Sequence, residues 1–167
     1  MLRLFLTDLR HKQKVFADDG APTGLLKILL SDGSGANFWY RLMQSCARYK
    51  VMMPLALVFQ YINKLLNHCV IGIKADFGEG FVLMHPTGVV INSKVKGGTG
   101  VVLESGVVIG DNRGQSPVLG SGIFVGAGAK IIGGVTLGDG VRVGANAVVV
   151  KSVDAGLTVV GIPARPV

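Results

Sequence analysis

One histidine in the second half of the chain is a candidate for acid–base chemistry. His85 lies in the run Met84-His85-Pro86-Thr87-Gly88, whereas His11 and His68 precede residue 70. An imidazole with a pKa of about 6.5 can accept a proton from a hydroxyl group at neutral pH. Because most isolated histidines are structural or merely exposed, the surroundings of His85 have to decide whether it is a general base.

A polar run that interrupts an apolar region supplies a second set of candidates. It spans residues 111 to 117 and carries one arginine, Arg113. Since an unpaired arginine is costly to bury, the run is predicted to leave the surrounding structure as a short loop. Loops held by a rigid scaffold often carry binding groups. The candidate substrate-binding residues are Asp111, Asn112, Arg113 and Ser116. A solvated bulge without function is the alternative.

Both candidates lie within a six-residue repeat. The apolar positions of the repeat are Ile71, Phe77, Leu83, Val89, Val95, Val101, Val107, Leu119, Val125, Ile131, Leu137, Val143 and Val149. Arg113 occupies the one position that breaks the series. A fixed short period is typical of a solenoid, in which each unit buries its apolar face against the next. An antiparallel sandwich would instead show a period of two broken by irregular turns.

Three hexads form one triangular turn of a parallel β-helix, with the repeated apolar residue pointing inward. Residues two positions later are then predicted to point outward, which places His85 on the surface. The same rule predicts an exposed apolar column of Ile73, Ile91, Ile109, Ala127 and Ala145. An exposed apolar stripe usually marks an interface, so the column predicts an oligomer.

Residues 1 to 70 have a helical pattern and precede the solenoid at residues 71 to 167. The first apolar stretch ends at Asp18-Asp19-Gly20, and a second spans Leu25 to Leu30. A third helix is predicted with Asn37 as its N-cap, and a fourth with Pro54 in its first turn, running to about Asn67. We expect this part to cover the open N-terminal end of the solenoid, which would otherwise expose unpaired strand edges.

The charge and the cysteines limit the partners and the compartment. The net charge is +7, and residues 1 to 70 carry nine Lys/Arg against four Asp/Glu. This excess favours anionic partners, such as the phosphate groups of a ligand or a membrane surface that the helical part would contact peripherally. Nucleic acid is not expected, since no aromatic and basic platform accompanies the charge. The start of the chain lacks a signal-peptide pattern, and Cys46 and Cys69 have no metal-ligand spacing, which predicts a cytoplasmic protein.

Three motifs, in this order, resemble the hexapeptide-repeat acyltransferases. They are Gly80 to Gly88 around the histidine, Gly126 to Lys130, and the ending Gly161 to Arg165. The pattern looks closest to the serine acetyltransferases and the O-acetyltransferases of exopolysaccharide synthesis. The resemblance implies a mainly β fold, a left-handed parallel β-helix with an N-terminal α-helical cap, acetyl-CoA as the acetyl donor, no metal, and a homotrimer. It implies His85 as the general base. It also implies CoA contacts at Gly126, Ala127, Lys130, Arg142, Ala145 and Arg165.

The chain departs from this pattern at three places. Where the serine acetyltransferases carry two carboxylates and a second histidine, this sequence has Met84, Val70 and Ser116. The resemblance therefore leaves His85 without its usual orienting carboxylate. Asp76, Glu79 or Asp111 of a neighbouring subunit could substitute.

The resemblance implies an acetyl-CoA-dependent O-acetyltransferase. Free serine would need a cation for its carboxylate, which Arg113 could supply, and an anion for its ammonium, for which no residue is evident. A sugar hydroxyl needs only hydrogen-bonding groups such as Asn112, Gln115 and Ser116. We therefore expect a sugar or glycan-precursor hydroxyl as the acceptor, with serine as the alternative.

Two other classes use the same kind of prism. A γ-type carbonic anhydrase needs several histidines around zinc, and one solenoid histidine is too few. A non-catalytic scaffold that kept only the prism remains open. Since the chain stops at Val167, we expect no complex of the kind that serine acetyltransferases form through an extended tail with the next enzyme of cysteine synthesis.

Overall fold

The computed structural model describes all 167 residues, with a helical region followed by a parallel β-solenoid. The helices are α1 (Leu2–Asp18), α2 (Leu25–Leu29), α3 (Ser34–Ala47) and α4 (Met53–Asn67), with a short 3-10 turn at Lys50–Met52. The predicted ends of α1 and α4 are confirmed, and Pro54 lies in the first turn of α4. No helix has both the length and the apolar character that a membrane crossing requires.

The prediction that Asn37 caps α3 is wrong. The helix begins at Ser34, after Gly33 in the left-handed region at φ 80°, so that Asn37 lies inside the first turns. Its side chain instead donates to the Phe81 carbonyl oxygen at 2.6 Å and accepts from the Leu83 amide at 3.0 Å. Asn37 thus satisfies backbone groups of the first solenoid turn, which no earlier strand covers.

Fifteen short strands build three walls of a triangular prism. They are β1 (Val70–Ile71), β2 (Asp76–Phe77), β3 (Val82–Leu83), β4 (Val90–Ile91), β5 (Lys96–Gly97), β6 (Val102–Leu103), β7 (Val108–Gly110), β8 (Val118–Leu119), β9 (Phe124–Val125), β10 (Lys130–Ile132), β11 (Thr136–Leu137), β12 (Arg142–Val143), β13 (Val148–Val149), β14 (Thr158–Val160) and β15 (Arg165–Pro166). Wall 1 is β1-β4-β7-β10-β13, wall 2 is β2-β5-β8-β11, and wall 3 is β3-β6-β9-β12-β14-β15. All neighbours are parallel except β14 and β15. The predicted left-handed parallel β-helix with a helical cap is confirmed.

The strict period of six is wrong between Leu83 and Leu119. Along wall 1, Ile71 pairs with Ile91, Ile91 with Ile109, and Ile109 with Ile131. The first turn is therefore two residues longer than three hexads, and the third turn is four residues longer. The two insertions add up to one whole hexad, so the six-residue count returns to phase at Leu119 and conceals both of them.

The predicted exposed column is wrong for the same reason. Ile91 and Ile109 are 2% and 0% exposed and form the centre of wall 1 inside the prism. The six-residue count predicted Val89 and Val107 at the centre of wall 1. These two residues are also buried, but they lie two positions before the wall residues, at the corner that precedes the wall. An outward apolar column therefore gives no support for an oligomer.

Ile109→Ala is expected to lower the free energy of unfolding by about 2–5 kcal/mol, because it leaves a cavity among close-packed side chains. Chemical denaturation measures the loss. Val118→Ala on wall 2 is the matched control, since Val118 is exposed and its truncation should cost less than about 1 kcal/mol. Equal losses in the two variants would contradict the burial of Ile109.

The helical region covers the open end of the prism through a buried polar cluster. The guanidinium of Arg41, which is 0% exposed, donates to both carboxylate oxygens of Asp8 at 2.7 and 2.8 Å. It also donates to the carbonyl oxygens of Phe77 and Gly78, at 2.8 and 2.6 Å. Burial raises the pKa of Asp8, and the adjacent Arg41 opposes that rise. The expected cap is thus joined to the first turn by charge-assisted hydrogen bonds.

Candidate active site

His85 lies at the corner between β3 and β4, where the first turn contains its two extra residues. This corner belongs to the edge at which wall 3 meets wall 1, called the His85 edge below. Met84 and Pro86 on either side are buried, and the His85 side chain is 60% exposed. The prediction that His85 faces outward is therefore confirmed.

A carboxylate from the helical region contacts the imidazole. Nδ1 of His85 lies 2.9 Å from Oδ2 of Asp32, which is in the turn between α2 and α3. The other carboxylate oxygen of Asp32 accepts from the Gly33 amide at 2.9 Å. Sequence reasoning missed Asp32, because the run from Ser31 to Gly35 indicated only a boundary between two helices.

Gly33 allows this turn to approach the prism. A Cβ atom at position 33 would clash with the Leu83 carbonyl oxygen, and the residue adopts a positive φ of 80°. Ser31 and Ser34 fix the turn further, since both hydroxyl groups donate to the Ile28 carbonyl oxygen at 2.7 Å. The only sequence signal for a close approach between this turn and the prism is Gly33 itself, followed by Ser34.

A buried lysine links the same turn to the strand that precedes the histidine. Nζ of Lys12 donates to the backbone carbonyl oxygens of Asp32 and Leu83, the latter at 3.1 Å. Burial lowers the pKa of Lys12 to about 8. Lys12 therefore holds together the two backbone segments that carry Asp32 and His85.

The glycine- and alanine-rich corners continue the His85 edge at the next levels of the prism. The backbone amide of Gly128 donates to the Ser105 carbonyl oxygen at 2.8 Å, and that of Asn146 donates to the Ala127 carbonyl oxygen at 2.8 Å. A Cβ on Gly126 would lie 2.7 Å from the Ala145 amide nitrogen, so these corners stack closely. With about 4.8 Å between neighbouring strands, the Ala145 corner lies roughly 14 Å along the edge from the His85 corner.

The predicted phosphate contacts flank this edge on both sides. Arg142 on β12 and Arg165 on β15 are exposed on wall 3, and Arg142 lies over the Phe124 ring at 4.6 Å. Lys130 begins β10 on wall 1 and donates to the Gly128 carbonyl oxygen at 3.0 Å. The structure therefore brings His85, Gly126, Ala127, Ala145 and these three cations to one edge and its two adjoining walls.

The polar loop projects from a different edge, where wall 1 meets wall 2. Asn112 and Gln115 exchange two backbone hydrogen bonds, of 2.9 and 3.1 Å, across a turn with Arg113 at φ 53°. Asp111 accepts from the Gly114 amide at 2.7 Å and from the Ser116 hydroxyl at 3.2 Å. The predicted loop is confirmed, but one chain does not bring it to His85.

The other carboxylates proposed to orient the histidine have different partners within the chain. Asp76 accepts from the Gln44 side chain at 2.7 Å, and Glu79 pairs with Arg3 at 3.0 Å. Asp111 is held in the loop. No three His, Cys, Asp or Glu side chains are grouped so as to hold a metal ion.

Comparisons with known proteins agree with the fold. Residues 116–151 match the bacterial transferase hexapeptide family (six repeats). The serine acetyltransferase of Mycobacterium tuberculosis is 32% identical over 99% of this chain and 72% of its own length. Serine acetyltransferase 1, chloroplastic, of Arabidopsis thaliana is 50% identical over 54% of this chain, which spans 30% of that protein. A solved structure of a serine acetyltransferase in complex with CoA, 28% identical, superposes with a TM-score of 0.89 over 99% of this chain and 68% of that one.

The triangular prism of six-residue repeats agrees with the match to the bacterial transferase hexapeptide family. The chain belongs to the serine acetyltransferase family. It spans less than two thirds of the plant relative and of the Synechococcus elongatus relative, 30% and 62% respectively.

Proposed function

We propose that the protein transfers the acetyl group of acetyl-CoA to the hydroxyl of serine. The observation that carries this proposal is the exposed His85–Asp32 pair at one end of an edge lined with glycine and alanine. A base at the end of a long, narrow edge suits a reaction between a small hydroxyl and an extended thioester.

The chemistry is direct acyl transfer. With Nδ1 of His85 occupied by Asp32, Nε2 takes the proton of the acceptor hydroxyl. The acceptor oxygen attacks the thioester carbonyl and forms a C–O bond. The tetrahedral intermediate then collapses, the C–S bond breaks, and the CoA sulfur leaves with the proton held by the imidazolium. A backbone N–H at a glycine-rich corner would stabilise the oxyanion.

The acetyl donor fits the same edge. Small residues at Gly126, Ala127 and Ala145 would let the pantetheine arm approach the backbone, and Lys130, Arg142 and Arg165 would bind phosphates. A similar serine acetyltransferase has been solved in complex with CoA, which supports acetyl-CoA as the donor.

The choice of serine corrects the expectation of a sugar acceptor. The relatives reported above are named serine acetyltransferases, which favours the stated alternative, and none of them supports a role in polysaccharide synthesis. The objection to serine was the lack of an anion for its ammonium group. Asp32 provides a 59% exposed carboxylate beside the base, and each of its oxygens keeps a lone pair beyond its contact with His85 or Gly33, so an anion for the ammonium is present at the site.

A homotrimer would complete the site. His85 and the Arg113 loop lie on different edges of the prism, so a site that contains both needs loops from neighbouring copies. In that arrangement Arg113 of one copy would bind the carboxylate of serine at the His85 edge of another. Light scattering that finds only a monomer, in a protein that is active, would contradict this arrangement.

We also propose a cytoplasmic protein that can contact an anionic membrane. Cys46 and Cys69 are free and buried, as expected in a reducing compartment. Residues 33 to 75 contain no Asp or Glu, and Lys50 and Lys64 are exposed near α4. The exposed apolar side chains of α4 are Leu55, Leu57, Val58, Tyr61, Leu65 and Leu66. Co-sedimentation with anionic vesicles, but not with neutral ones, is the expected result.

The release of CoA thiol from acetyl-CoA tests the proposed reaction. Serine should support turnover, whereas hexoses, nucleotide sugars and lipid-linked sugars should not. Turnover of a sugar in preference to serine would contradict serine as the acceptor, but it would still agree with O-acetyl transfer. Failure of acetyl-CoA to raise the melting temperature would favour the non-catalytic scaffold, because a ligand that binds only the folded state must stabilise it.

A further inference from the structure

We infer that Asp32 is the positioning residue of His85. Its carboxylate accepts the Nδ1–H of the imidazole, and this leaves the lone pair on Nε2 free to accept the proton of the acceptor. The inference deepens the proposed function and rests on it for its kinetic consequence, but the state of the imidazole can be measured without any substrate.

The contact has the geometry of a hydrogen bond that selects one tautomer. The 2.9 Å between Nδ1 of His85 and Oδ2 of Asp32 is within the usual range for a nitrogen–oxygen hydrogen bond. A carboxylate is an acceptor only, so its partner nitrogen must carry the proton. A free imidazole in water prefers the opposite tautomer, with the proton on Nε2, so the contact with Asp32 changes which nitrogen is basic.

The carboxylate is held in place before any ligand arrives. Its second oxygen accepts from the Gly33 amide at 2.9 Å, and Gly33 allows the turn to pack against Leu83 without a clash. Lys12 donates to the backbone carbonyl oxygens of both Asp32 and Leu83, and Leu83 is two residues before the histidine. The distance between the two side chains therefore depends on contacts between buried backbone segments rather than on a flexible surface pair.

Orientation, and not stability, is the main effect of this pair. Both side chains are more than half exposed, at 60% and 59%, and exposed ion pairs contribute little to folding. During the reaction the carboxylate would stabilise the imidazolium that forms when Nε2 takes the proton. Met84 and Val70 occupy the positions at which the similar enzymes carry carboxylates, and neither side chain has a charge. Asp32 thus supplies the carboxylate that these two positions lack.

Imidazole nitrogen NMR of the free protein tests the assignment. At a pH where the rings are neutral, the wild type should show a protonated Nδ1 and an unprotonated Nε2 for His85. Asp32→Ala should reverse this pattern, and Asp32→Asn, which preserves the size of the side chain, should give a mixture. The signals of His11 and His68 should not move, and Asp154→Ala, which removes an exposed carboxylate elsewhere, should leave His85 unchanged. An unchanged His85 tautomer in folded Asp32→Ala or Asp32→Asn protein would overturn the inference.

Kinetics supply the second measurement. Asp32→Ala should lower kcat by about ten- to a hundred-fold, less than the loss for a fully buried triad carboxylate, because solvent can partly orient an exposed imidazole. KM for acetyl-CoA should stay within about twofold, since the residues proposed to bind CoA lie at later turns of the prism than Asp32 and His85. An unchanged kcat would overturn the positioning role. Lack of turnover of serine by the wild type would contradict the proposed function instead, and the NMR result would still stand.

Discussion

Replacement of His85 by alanine is expected to lower kcat by about 10²- to 10⁴-fold, the usual loss when a general base is removed. The fold should be unaffected, because the His85 side chain is 60% exposed and contributes to no core cluster. The melting temperature and its increase with acetyl-CoA should therefore match the wild type. Steady-state release of CoA thiol measures the loss.

The control for this experiment is His68→Asn. His68 is exposed after α4 and has a positive φ of 49°, a conformation that asparagine tolerates better than alanine. The His68 carbonyl oxygen accepts from the Gly88 amide at 3.0 Å, in the corner that carries His85, and the substitution keeps this backbone bond while it removes a nearby imidazole. The variant should leave kcat within about twofold. If His85→Ala retained near-wild-type activity, His85 would have no place in the mechanism.

Arg41→Met is expected to lower the free energy of unfolding by about 3–5 kcal/mol, because it leaves the buried Asp8 carboxylate without its partner. It also removes the donors to the Phe77 and Gly78 carbonyl oxygens, which lie at the end of the prism that the helical region covers. Urea denaturation with two independent probes, one for helix and one for tertiary structure, measures the loss.

Two further variants separate the buried pair from ordinary surface charge. Arg3→Met breaks the Arg3–Glu79 pair, in which Arg3 is 86% exposed, and should cost less than about 1 kcal/mol. The double variant Asp8→Leu with Arg41→Met should be more stable than Arg41→Met alone, because it no longer buries an unpaired charge. Equal stability of Arg41→Met and Arg3→Met would contradict the role assigned to Arg41.

The hexad pattern predicted the fold because each inward side chain has to meet its neighbours one turn above and below. Leu119, Val125 and Ile131 therefore lie where the count placed them. The count failed from Val89 to Val107, because the residues that it selects there are also apolar and buried. A shift of two positions therefore exchanges one buried residue for another. A periodic pattern cannot detect a displacement between two inward positions of the same repeat.

The candidate site was predicted only in part, for a different reason. His85 lies in a short sequence motif, and the corners with Ala127 and Ala145 share a repeated glycine- and alanine-rich motif. The sequence therefore indicates the histidine and these corners. The Asp32–His85 contact joins residues 53 positions apart and depends on how a helical turn packs against a strand. No sequence pattern near Asp32 or near His85 indicates that the two residues are in contact. The error at Asn37 has the same cause. Asparagine is typical of helix caps, but here its side chain forms hydrogen bonds with backbone groups at β3, a contact that the local sequence does not indicate.

The contact between Asp32 and His85 also limits how this prism can be joined to the helical region of another protein. A cassette cut at the boundary between α4 and β1 would carry His85, the loop and the glycine-rich corners. It would leave behind Lys12, Asp32 and Arg41, which contact the first turn from the helical side. A chimera that joins this prism to a foreign helical region therefore inherits the histidine without its carboxylate. Sequence exchange that preserves the pair has to keep residues 12 to 85 from a single parent.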